Sequence, residues 1–406
     1  MRKFLQFGYY FLLGAILLMP PAHAAGEPPA QEVPPQVSRP VTQFAPLAFL
    51  EQVPGFHGAT FRRIDEKALL ATLHDYTADL EHTKITIHPV AISNNGRHLA
   101  AILWTYDDRS ADVPGRDGSS NYRLAVIDLG IPSIKLLPEN GTDYIADTYS
   151  SPFGMICWDP VDTRYLFVDE MDETPERGGV WRMPCDGGKA QRVSRRGEVN
   201  ALLDISQDGR WLRMAVSPIG DTAQSGHRRD SDTHYFLQSR QNPRIRKPAN
   251  PHNIVVWHEH LSPDQRRYFA CTFAKRDRRD DLTDFSLRLV NAATRQSRIF
   301  FRSKHSTLPA NTELDEEQMP FLYTLIPTLN WLPDSSGLWM RLRYPASDQG
   351  QAVKEENWIV DLTGAAHKVN EVTWPSLPIL MFSSHNWRHW VFFYDYAWYC
   401  VSVAGK

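Results

Sequence analysis

Residues Asp204 to Ser217 read DISQDGRWLRMAVS. A short run ending in Ile205 meets the polar segment Ser206–Arg210, and a second run follows with Trp211, Leu212, Met214 and Val216. Asp and Gly in the middle supply the backbone freedom of a tight turn, and the flanking runs carry β-type residues. The stretch therefore reads as a hairpin. The pattern returns as AISNNGRHLAAILW from Ala91, CWDPVDTRYLFVDE from Cys157, HLSPDQRRYFACTF from His260 and NWLPDSSGLWMRLR from Asn330. A degenerate sixth copy, MFSSHNWRHWVFFY, begins at Met381. Recurrence every few tens of residues is the signature of a repeat architecture.

Each copy has a distal half. NYRLAVIDLGIPSIKLL, GVWRMPCDGGKAQRVS, THYFLQSRQNPRIRKP, FSLRLVNAATRQSRIFF and NWIVDLTGAAHKVNEV each hold a short apolar run, a polar turn and another short run. Two hairpins per unit give a four-stranded antiparallel sheet with two apolar faces. One such sheet cannot bury both faces, whereas a ring of them can. The expected fold is all-β: a β-propeller over residues 85–406 with six blades, or seven if residues 41–90 form part of another. The last unit is one strand short, and HGATFRRI, His57 to Ile64, is the expected closing strand.

Ahead of the repeats lie a Pro-rich polar leader, residues 25–40, and a lead-in over 41–84 that contains FAPLAFLEQVPGF. A short helix is expected from Asp65, with Leu69, Leu70, Leu73 and Tyr76 on one face and acidic residues at its start.

The "SPDG…LAF" and "L-x-V-x-D…G" pairs resemble the repeats of TolB-like periplasmic propellers. They equally resemble the propeller domains of prolyl-oligopeptidase-type and dipeptidyl-peptidase-type serine peptidases, and FAPLAFLEQVPGF is similar to the lead-in of some of these. The resemblance covers the repeat rhythm of residues 85–406 and implies fold rather than activity. Asp159-Pro160-Val161-Asp162 departs from Ser-Pro-Asp-Gly in the second copy, and Gln265 stands where Gly is usual in the fourth.

The 406-residue chain carries a net charge of −3, the wrong sign for a nucleic-acid partner. Its N-terminus places Arg2 and Lys3 before an apolar run from Phe11 to Met19 and then Ala22-His23-Ala24. That order is a secretory signal, expected to be cleaved after Ala24. The run is shorter than the roughly 20 residues a membrane span needs. The expected location is the periplasm, with no membrane span after cleavage. Cys157, Cys185, Cys271 and Cys400 show no C-x-x-C spacing, so free, buried cysteines are expected.

Motifs of chemistry are sparse. The sequence holds no G-x-S-x-G nucleophile elbow, H-E-x-x-H, phosphate loop or G-x-G-x-x-G. The DEMDE stretch from Asp169 reads as a hairpin tip, and the basic stretch from His227 to Lys247 as an inter-strand loop or a face for an acidic partner. In the repeat register, His260 matches Ala91, Cys157, Asp204, Asn330 and Met381. Asp204, His258, His260 and Asn330 are thus candidates for lining the central channel, with His88 beside them. No catalytic residue, metal or cofactor is assigned. The expected function is an exported, non-catalytic propeller that binds a protein or peptide. Its rivals are a metal-dependent hydrolase or lyase at the channel mouth, and a peptide-binding relic of a peptidase propeller. Recognition is expected in the loops 107–121, 221–233 and 303–318.

Overall fold

In the computed structural model there are six antiparallel sheets, and in five of them the repeated hairpin forms the two inner strands; in the remaining sheet only the second strand of the hairpin is among the described residues. The structure describes residues 38–73, 83–107, 120–137, 145–146, 153–170, 179–195, 198–206, 208–217, 234–248, 262–264, 266–273, 285–294, 296–302, 328–345, 353–373, 379–395 and 397–404. Blade I runs Thr83–Ile92, His98–Asp107, Ser120–Asp128 and Ser133–Leu136 from the inside outward. Blade II is Phe153–Trp158, Tyr165–Glu170, Gly179–Pro184 and Gln191–Arg192, and blade III is Val199–Ile205, Trp211–Ser217, His234–Ser239 and Arg246–Pro248. Three strands of blade IV are described, Arg267–Phe273, Phe285–Asn291 and Ser297–Arg302. Blade V comprises Thr328–Trp331, Gly337–Pro345, Val353–Asp361 and Ala366–Thr373. The protein is a six-bladed β-propeller.

Blade VI joins the two ends of the described chain. Ile379–Ser383, His389–Tyr394 and Ala397–Ser402 are followed outward by Thr60–Ile64 and then by Arg39–Pro40. Phe61 lies opposite Val401 and Ile64 opposite Trp398. The closing strand thus falls within the expected segment 57–64. Residues 41–64 complete blade VI and do not start a seventh blade, and the last two residues of the Pro-rich leader are already strand.

The lead-in is part of the core. Its 3₁₀ segment Ala45–Gln52 buries Leu47 and Leu50 completely, and Phe56 is as deeply buried. Phe56 sits 5.6 Å from the Trp339 ring of blade V and 5.1 Å from Trp390 of blade VI. Trp339 in turn lies 6.0 Å from Trp390 and 6.2 Å from Phe392. Aromatic area of this kind dominates core energetics, and tilted or edge-on ring pairs add to it. The expected helix forms only over Glu66–Leu70 and ends before Leu73; the Asp65 side chain accepts from the Ala68 N–H at 3.0 Å and caps it. Tyr76 lies outside the described residues.

Candidate functional site

The turn between the two inner strands is built one way in four blades. The Ser93 hydroxyl donates to Asn95 and accepts from the His98 N–H at 2.9 Å. Ser206 does the same with Asp208 and Trp211, Ser262 with Asp264 and Arg267, and Ser384 with Asn386 and His389. One serine thereby satisfies a backbone donor that the turn would otherwise leave open. The third residue after that serine position is left-handed in several copies: Gly96 (φ 67°), Gly209 (φ 65°), Ser335 (φ 63°) and Trp387 (φ 61°). Because Ser384 holds the serine position, the sixth copy is in register from Phe382. The expected match at Met381 is one residue too early, and the bulge between Leu380 and Phe382 falls where the first and third copies have theirs, just before Ala91 and Asp204.

Blade II departs from this plan. Asp159 occupies the serine position and is fully buried. One carboxylate oxygen accepts from the Val161 and Asp162 N–H groups. Arg182 of the same blade reaches the carboxylate at 3.1 Å. Arg240 of blade III reaches it at 2.7 Å and also donates to the Gly209 carbonyl. The turn is also one residue longer, since Asp159 N donates to the Tyr165 carbonyl whereas Ser93 N donates to His98. Asp159 therefore ties its own turn to the next blade. Arg182 lies over the Tyr165 ring, 3.4 Å from its centroid.

Near the ring centre, three blades bring polar groups together. Bulges just before Ala91, Asp204 and Phe382 re-aim the ends of their inner strands. The carboxylates of Asp204 and Asp159 act electrostatically on both the Cys157 thiol of blade II and the His385 imidazole of blade VI. Burial, reinforced by those two carboxylates, pushes the Cys157 thiol up. Burial pushes His385 down, and the same carboxylates oppose it. Both shifts disfavour the charged forms, thiolate and imidazolium.

The sequence candidates are distributed unevenly. Asp204 belongs to this cluster, and its Oδ1 accepts from the Ile205 N–H at 2.8 Å. Asn330 lies opposite Trp339 on the inner strand of blade V, half-buried. His88 is 5% exposed and packs 6.2 Å from the Trp104 ring, which rests on the apolar cluster shared by blades I and II. Neither ring nitrogen of His88 has a hydrogen-bond partner among the described residues, and burial lowers its pKa to about 4. His258 and His260 lie outside the described residues, as does most of the three loops expected to carry recognition. Among the described residues no group of three or more His, Cys, Asp or Glu is placed to hold a metal ion. Cys157, Cys185 and Cys400 are free, and Cys400 is buried.

Sequence reasoning missed His385 and the role of Asp159. The departure of DPVD from the serine-led turns was the available signal for Asp159. For His385 the degenerate sixth copy hid the register.

No protein-family model matches the chain, and no curated protein matches it. Solved structures do. A protein assigned as TolB from Agrobacterium tumefaciens is 10% identical with a TM-score of 0.43, covering 79% of this chain and 91% of that one. An oligogalacturonate lyase in complex with manganese is 12% identical with a TM-score of 0.41, covering 79% of this chain and 66% of the lyase. A prolyl endopeptidase is 12% identical with a TM-score of 0.41, covering 79% of this chain and 43% of that one. The likeness is one of fold, and the six-blade assignment itself stands on the strand pairing described above.

Proposed function

We propose that the chain is an exported, non-catalytic β-propeller that binds a protein partner in the periplasm. The observation that carries this reading is the state of the central groups. Burial raises the Cys157 thiol and lowers the His385 imidazole, and Asp159 is taken up by Arg182 of its own blade and by Arg240 across the blade junction. Polar groups at the centre thus act as ties between blades. A closed ring with its ends locked in one sheet gives a rigid disc on which loops can recognise a partner. The N-terminal secretory pattern supports export.

The test is crosslinking in the cell envelope with the native chain, followed by size-exclusion of the purified complex. A discrete complex with a protein is the expected result. A monomer that instead carries stoichiometric metal, lost in His260→Ala, would overturn the reading in favour of an enzyme.

A further inference from the structure

The inner turns of blades I, III, IV and VI each close around a central side chain: Asn95, Asp208, Asp264 and Asn386. That side chain accepts from the turn serine and from the backbone N–H two residues on, at Arg97, Arg210, Arg266 and Arg388. The residue between differs. It is Gly in blades I and III, Gln in blade IV and Trp in blade VI. Of these four turns, blade I alone places a carboxamide before glycine. That pairing has a chemistry of its own, because the backbone nitrogen of the following residue can attack the side-chain carbonyl and close a cyclic imide. A Cβ on the following residue obstructs the approach, and glycine has none.

Asn95 is exposed, so water reaches its side chain. Gly96 is fixed as glycine by its surroundings: its φ is 67°, and a Cβ there would stand 2.5 Å from the His389 ring of blade VI. The reactive pair is therefore built into the fold. The same turn also restrains it. The Gly96 N–H donates to the Ser93 carbonyl at 2.9 Å. The Asn95 carboxamide oxygen is held by the Ser93 hydroxyl at 2.7 Å and by the Arg97 N–H at 3.0 Å. With the attacking nitrogen and its target both engaged, the imide closes only when the turn opens locally.

We propose that Asn95 is a site of spontaneous deamidation, gated by opening of the blade I turn. The Gly96 nitrogen gives its proton to hydroxide and bonds to Asn95 Cγ. The Cγ–Nδ2 bond breaks, and the departing nitrogen takes a proton from water and leaves as ammonia. Water then opens the imide at one carbonyl or the other, giving aspartate or an isoaspartyl link with an additional methylene in the main chain. The products differ in what they do to the fold. Aspartate reproduces the blade III turn, where Asp208 accepts from Ser206 and Arg210, and forfeits only the 3.4 Å bond from Asn95 to Thr163. The isoaspartyl link displaces both neighbours: Asn94, which bonds Asn386 of blade VI and Pro160 of blade II, and Gly96, which meets His389. It loosens the junction between the first and last blades. The inference stands independently of the partner-binding reading.

The experiment incubates the native full chain at mildly alkaline pH beside the same chain unfolded in guanidinium chloride. Peptide mass spectrometry separates Asn95 from Asn140, which begins the chain's other Asn-Gly pair. Asn95 should be modified in both samples, about tenfold more slowly in the native chain, because reaction waits on local opening. Asn386, in an equivalent turn before Trp387, should stay unmodified. Ser93→Ala, shown to be folded by thermal unfolding, should speed the native reaction several-fold. Asn95→Asp should keep the parent's melting temperature, whereas the isoaspartyl fraction should melt lower. Equal rates in native and unfolded chains, or no acceleration in folded Ser93→Ala, would overturn the gating. A native chain left unmodified while the unfolded one converts completely would overturn the site itself. Asn386 reacting as fast as Asn95 would overturn the role given to glycine.

Discussion

The junction of blades V and VI and the junction of blades II and III hold the same ring together by opposite means. Between V and VI, Trp339, Trp390, Phe392 and Phe56 of the lead-in fill the space with rings. Polar groups in blade V meet one another inside the sheet: Trp339 donates to Asn357, Asn357 to Glu355, and Glu355 lies 3.6 Å from Arg341. Between II and III the apolar cluster is small, with Phe167, Val180 and Leu212 among its members, and polar contacts cross it: the ion pair of Asp159 with Arg240, and hydrogen bonds from Gln238 to the Val193 carbonyl and from the Leu202 N–H to Asp169. A blade that keeps its polar groups to itself leaves its neighbour an apolar face. A blade that lends a carboxylate outward binds its neighbour through charge.

This contrast can be broken by substitution. The largest effect should come from Trp339→Ala, about 4 kcal/mol of destabilisation, because it leaves a cavity among rings and strands Asn357. Chemical denaturation should show that loss to be nearly the same at low and high salt. Asp159→Ser puts the serine of the other blades into a turn one residue longer than theirs and leaves two part-buried guanidinium groups without the Asp159 carboxylate. It should destabilise by about 3 kcal/mol, the penalty of an uncompensated buried charge. A serine variant as stable as the parent would show that the ionic tie does nothing.

Acid should act on blades I and II. His88 is pushed down to about 4 by burial, below its usual 6.5, so the folded state binds its proton later than the unfolded chain does. The stabilisation is complete above pH 6.5 and is lost as the pH falls toward 4, by about 3 kcal/mol between pH 7 and pH 4. His88→Leu should flatten that part of the stability profile, which a denaturation series in pH would reveal. The smallest effect should come from Ser206→Ala, about 1 kcal/mol for one hydroxyl that joins Asp208 to the Trp211 N–H. A melting temperature unchanged in Ser206→Ala would mean that Asp208 and Gly209 form the turn unaided.

The blades were legible because their inner hairpins repeat a local code: β-type run, Ser or a substitute, Asp or Asn, a left-handed residue, β-type run. That code depends on neighbours in sequence, so one chain reveals it. The closing strand was legible by subtraction, since the sixth unit was short by one strand. The partners of Asp159 were not legible, since Arg182 and Arg240 reach it from another strand and another blade. Nor was the position of His88, which lies opposite Ile102 and packs its ring against Trp104, two residues further along the neighbouring strand. Contacts between blades depend on how far each sheet is turned against the next, and no local pattern encodes that angle.

Blade VI also sets the order in which the ring can form. Five blades are made of strands adjacent in sequence, but the sixth waits for Thr60–Ile64 to find Ala397–Ser402. Asn94 likewise meets Asn386, a bond that spans 292 residues. Contacts so remote are the slow ones, because the entropy of bringing distant segments together is lost before the contact rewards it. Until they meet, the Ala397–Ser402 edge stands open, with its N–H and C=O groups ready for any other strand. The step that makes the disc rigid is therefore the step at which a newly made chain is most exposed to pairing with its neighbour.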